Sequence, residues 1–263
     1  VMHKKMMSLV LALLTASGMV AAADWSGKVI RLGIDPSYPP FEYKTPDGKL
    51  AGFGVDIAEA LCQQMHAKCV WVENSWDGMI PALQAKKIDA IASSMLITPK
   101  RLEQIAFSNK ISNSPSRLVA KRGATLQPTV ASLKGKRIGV EQGSTQEAYA
   151  KAVWAPAGID VVSYQNQDLV YNDLVSGRLD ASLQSTIQAD GGFLKKPIGK
   201  GFAFVGAALD DPKFFGVGDG IGLRKEDVAL REDINKAIAT IRANGTYKRI
   251  NNKYFDFDIY GSK

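Results

Sequence analysis

Histidine is almost missing from this 263-residue chain, which holds only His3 and His66. That scarcity leaves little room for a Ser-His-Asp or Cys-His nucleophile, or for a histidine-rich metal centre. Cysteine is as rare: Cys62 and Cys69 flank His66, and zinc would still lack a fourth ligand there, so no metal is expected. There is no GxxxxGK phosphate loop and no GxSxG elbow, and no cofactor is expected. Long runs of one charge are absent as well. The 33 Lys and Arg against 26 Asp and Glu give a net charge of +7 spread along the chain, without the basic, aromatic-laced patch that nucleic acid requires. No apolar run reaches the ~20 residues of a membrane-spanning helix.

What is present begins with a leader. His3, Lys4 and Lys5 form a basic start, Leu9 to Val20 is apolar, and Ala21, Ala22 and Ala23 offer small side chains to a signal peptidase. Residues 1–23 therefore read as a cleaved signal peptide, and the mature chain is expected to be periplasmic. No cysteine lies near Ala23 to carry a lipid anchor. In an oxidising compartment, Cys62 and Cys69 read as one disulfide closing a small loop.

From Lys28 onward, strand-like and helix-like segments alternate. Val29 to Ile34, Val70 to Val72 and Ile88 to Ala92 read as strands, while Val55, Ala58, Leu61, Cys62 and Met65 recur at helical spacing. The pattern restarts near residue 117 with strands at 117–121, 137–140, 160–162 and 180–183, and helices from Thr145 and over 168–176. This predicts an α/β fold with largely parallel strands. Gly216, Gly218, Gly220 and Gly222 are not followed at once by a helix, so they read as a flexible strand or crossover instead of a dinucleotide loop. The last long helix is expected over about 230–243.

Two helix starts look suited to an anion. Thr98-Pro99-Lys100-Arg101 pairs an N-cap and a first-position proline with a guanidinium one turn in. Gln142-Gly143-Ser144-Thr145-Gln146-Glu147 fits a capping box from Ser144 to Glu147, with Gly143 allowing close backbone approach. Each alone is an ordinary capped helix. Together, in two α/β units, they suggest closure on one small anion.

Asp35-Pro36-Ser37-Tyr38-Pro39-Pro40-Phe41, Gly52-Phe53, Ile88-Asp89-Ala90, the Cys62–Cys69 spacing, Gly177-Arg178-Leu179-Asp180 and Tyr254-Phe255-Asp256-Phe257 resemble the extracellular solute-binding family for polar amino acids. The likeness spans residues 28–261 and is greatest to the lysine/arginine/ornithine-binding and histidine-binding members. It implies a two-lobed type II periplasmic binding protein with two hinge-crossing strands and a discontinuous first lobe. Residues 24–113 and 216–263 would form lobe 1, and residues 114–215 lobe 2. The resemblance further implies a monomer that is not an enzyme, captures a small amino acid or derivative by hinge closure, and delivers it to an ABC permease.

Carried over residue by residue, the resemblance makes Arg101 the carboxylate binder, supported by Thr145 from the other lobe. Tyr38 and Trp76 would sandwich the ligand's side chain, Asp35 would meet a distal cation, and Ser93, Ser94, Ser144 and Gln146 would line the pocket. Three positions depart from the family. Leu96 stands where a hydroxyl is usual and Ser185 where an aspartate is usual, so both common partners of the α-ammonium are gone. Glu141 stands where an apolar residue is usual. The resemblance implies a basic or polar amino acid as ligand, and these departures suggest an N-substituted, opine-like derivative of one. The alternatives are a cyclohexadienyl-dehydratase-like enzyme, with Glu141 as its acid, and a ligand-sensing receptor module.

Overall fold

A computed structural model describes residues 25–261. The expected leader, residues 1–23, lies outside the described residues. The chain builds two five-stranded sheets on one plan. In the first, the strands run in the order Lys68–Glu73, Val29–Ile34, Ala90–Leu96, Asp219–Leu223, Ala106–Phe107. In the second, the order is Asp160–Tyr164, Arg137–Glu141, Ala181–Ser185, Ser116–Lys121, Phe202–Leu209. The first three strands of each sheet are parallel, as the alternation with helices predicts. In each sheet the fourth strand pairs antiparallel with the third, and the fifth antiparallel with the fourth.

Each sheet is covered on both faces. Phe53, Ile57, Leu61, Ile234 and Ile238 pack on one face of the first sheet, and Met79, Leu83 and Ile105 on the other. Trp154 and Tyr149 fill one side of the second sheet, and Tyr171 and Phe193 the other. The helix Phe53–Gln64 ends next to the Cys62–Cys69 disulfide, which ties it to the edge strand Lys68–Glu73.

After completing the second sheet, the chain returns to the first. Asp219–Leu223 inserts beside Ala90–Leu96, and the helices Val228–Ala243 and Thr246–Tyr254 join the first core. The two passes between lobes run side by side: Ser112 bridges Asp219, and Ser116 pairs with Leu209. The first lobe is thus discontinuous and joined to the second by two strands. The glycine series forms a crossover and a strand, as the sequence suggests, but the strand is packed on all sides. Asp219–Leu223 is fully buried, and its glycines serve close approach in place of flexibility. A Cβ on Gly222 would press on Ile91 at 3.2 Å, and one on Gly216, at φ 62°, would run into the Ile97 carbonyl.

Candidate functional site

A cavity lies between the lobes at the carboxyl ends of the parallel strands, where open α/β sheets place their ligands. Asp35, Ser37 and Tyr38 follow the strand Val29–Ile34, and Ser93, Ser94 and Leu96 close the strand Ala90–Leu96. Trp76 and Arg101 complete the first lobe's wall. Glu141, Ser144, Thr145 and Gln146 face them from the second.

Arg101 is buried and held by carbonyls alone. Its Nη1 donates to the Leu96 carbonyl at 2.9 Å, its Nη2 to the Gly143 carbonyl at 3.4 Å, and its guanidinium lies 5.4 Å from the Trp76 ring centre. No described carboxylate pairs with it. Burial lowers its pKa to about 10, against the pull of Asp219 and Tyr38. A dry guanidinium short of a counter-charge favours an incoming anion.

Acid gathers elsewhere on the wall. Asp35 accepts from the Ser37 hydroxyl at 2.6 Å and the Ser37 N–H at 3.1 Å, while burial holds its carboxyl above the ordinary range. Glu141 is pushed up to about 8, first by burial and then by the charges of Asp35, Asp168 and Asp77. Neither Asp35 nor Glu141 has a described cation within ion-pair distance. Carboxylates that repel one another in a dry cleft are stabilised by a cation placed between them.

The anion-ready helix starts are shorter than the sequence suggests. Pro99–Leu102 and Thr145–Tyr149 are four and five residues long, the second passing directly into a π-turn at Ala150–Trp154. The first start therefore carries little macrodipole of its own, and its positive charge is that of Arg101. Both caps form: Thr98 Oγ1 accepts from Arg101 N at 3.3 Å, and Ser144 Oγ from Glu147 N at 3.0 Å. The capping box differs in one bond. Glu147 accepts from Gly143 N at 2.7 Å, one residue before the expected Ser144 N.

Tyr38 stacks on Phe41 at 5.5 Å, and its burial pushes the phenol well up. Thr145 Oγ1 donates to Gln146 Oε1 at 3.2 Å, and Gln146 Nε2 to Ser116 Oγ at 2.9 Å. Ser185 does not line the cavity. Its Oγ lies 2.6 Å from Ser114 Oγ and caps the turn at Thr186–Ala189 by accepting from Gln188 N. Ser37 was not foreseen, although a serine two residues after Asp35 is a recognisable side-chain turn partner.

A family model described as bacterial extracellular solute-binding proteins, family 3, matches residues 30–257. The chain belongs to this family. It is 53% identical to the histidine-binding periplasmic protein of Salmonella typhimurium over 97% of each chain. It is 51% identical to the lysine/arginine/ornithine-binding periplasmic protein of Escherichia coli, again over 97% of each. Among solved structures, an ancestral arginine-binding protein bound to arginine superposes with a TM-score of 0.80 at 35% identity, covering 86% of this family 3 chain and 98% of that one. These relatives are binding proteins, which favours the binding reading over the dehydratase-like one.

Proposed function

We propose that this family 3 protein is the periplasmic capture component of an ABC importer and takes up a basic amino acid. The observation that carries this reading is the charge of the cavity wall. Arg101 is the only cation among the lining residues, and Asp35 and Glu141 are the acids. A ligand with one carboxylate and a net positive charge balances that wall. An opine would bring a further carboxylate with no second cation to meet it, so charge favours a free basic amino acid over an acidic N-substituent.

In this reading Arg101 grips the carboxylate, with Ser144 and Thr145 beside it, and Tyr38 and Trp76 flank the ligand's side chain. Asp35 and Glu141 receive the distal cation. Lobe 1 comprises residues 24–113 and 216–263 and lobe 2 residues 114–215. The protein acts as a monomer, reaches the periplasm by loss of residues 1–23, and presents its closed form to the permease. Calorimetry with arginine, lysine, histidine and an N-carboxyalkyl arginine tests the reading. Tighter binding of the free basic amino acids is expected, and preference for the N-carboxyalkyl form would overturn it.

A further inference from the structure

Behind the ligand cavity lies a smaller one, whose wall includes Glu42, Ser94, Ser112 and Asp219. Ser93 and Ser94 belong to both cavities. Glu42 is fully buried: its Oε1 accepts from Ser94 Oγ at 2.8 Å, and its Oε2 has no partner. Gly54 makes room for it, since a Cβ there would run into Glu42 Oε1. Asp219 is 5% exposed and accepts from Ser112 Oγ at 2.7 Å. It stands opposite Leu96 in an antiparallel pair, so both side chains leave the same face of the sheet, and Leu96 lines the ligand cavity.

Where Glu42 is ionised, Ser94 gives its proton to Oε1. Towards the ligand it therefore offers only lone pairs, and whatever it meets there must be a donor. Two buried acids without a cation are costly, and an adjacent ammonium relieves them. We propose that the ligand's amino group is received by Ser94 and held by the buried Glu42–Asp219 pair behind it, in place of the partners missing at Leu96 and Ser185. Glu42 acts through Ser94 and is a positioning residue. This subsite rests on the amino-acid reading of the cleft.

One consequence is a proton. Burial pushes Asp219 up to about 7 against the pull of Ser112 and Arg101, and pushes Glu42 well up, with Asp219 and Asp35 adding to it. The charged or titratable groups facing the pair are thus Arg101, Tyr38, Asp35 and Tyr247. An arriving ammonium favours ionised Asp219, whose proton passes to the buffer.

The test is calorimetry near pH 7 in two buffers of different ionisation enthalpy, with arginine and desamino-arginine as probes. The wild type is expected to prefer arginine by about a hundredfold and to release more protons with it than with desamino-arginine. Asp219→Asn, which keeps an acceptor for Ser112, should narrow that preference to about tenfold and remove the extra proton. Glu42→Gln should narrow it as well, and circular dichroism checks that each variant folds. Variants that keep the wild-type preference and proton release, or that weaken both probes alike, would overturn the subsite. A wild type that binds both probes equally overturns the subsite alone, whereas one that binds neither overturns the amino-acid reading along with it.

Discussion

Arg101 of the first lobe donates to the carbonyl of Gly143 in the second at 3.4 Å, where Trp76 and Asp77 border the space that a side chain on Gly143 would fill. The same guanidinium that would grip a carboxylate also bridges the lobes, so binding and closure share one side chain. Arg101→Met is therefore expected to weaken arginine binding by about a hundredfold or more, as for other truncated buried charge partners. Calorimetry gives the affinity, and small-angle scattering should show the variant failing to contract when arginine is added.

Gly143 itself is a second point of leverage. Its φ is 75°, and a Cβ there would sit 3.3 Å from the Asp77 Cα across the lobe interface. Gly143→Ala should cost about 1–2 kcal/mol in backbone strain and also wedge the lobes apart. Affinity for arginine should therefore fall by more than the loss of unfolding free energy accounts for. Denaturant melts of the unliganded variant, set beside its calorimetry, check this.

Glu141 makes both stability and binding depend on pH, with opposite signs. Its pKa in the folded protein is about 8 against an ordinary value of 4.5. The folded state therefore holds a proton that the unfolded chain gives up. Its contribution to stability is fully present below about pH 4.5 and is lost as pH rises through about 8. Unliganded wild type should lose melting temperature across that window relative to Glu141→Gln. Affinity for a cationic ligand should rise over the same window in the wild type, because the carboxylate is then ionised, and Glu141→Gln should flatten that rise.

The disulfide joins Cys62 to Cys69, seven residues on, within the first lobe's core and away from the cleft lining. Closing so short a loop is worth about 2–3 kcal/mol on the chain-entropy account. The Cys62→Ser, Cys69→Ser double variant should lose roughly that much stability in urea melts. Its arginine affinity should stay at the wild-type level.

Local chemistry marks only part of the cavity wall in the sequence: Arg101 follows an N-cap and a proline, and Ser144 follows a glycine. Asp35, Tyr38, Trp76, Leu96 and Glu141 come from the family resemblance, and all of them line the same cavity. What the sequence hid was burial and orientation. Glu42 follows Phe41 and precedes Tyr43 and Lys44, so it reads as a surface acid, and Asp219 sits among glycines that read as flexible. Only the return of Asp219–Leu223 beside Ala90–Leu96 brings these two acids behind Ser94. Ser185 occupies the expected strand end, but its hydroxyl turns to Ser114, a choice that no periodicity records.

The central claim is that the cleft selects a ligand whose side chain carries a positive charge. Citrulline matches arginine in shape and lacks only that charge, so their affinities for the purified full-length mature protein, measured side by side by calorimetry, test the claim most directly. Arginine is expected to bind at least about a hundredfold tighter than citrulline. Affinities within about threefold of each other would contradict the account.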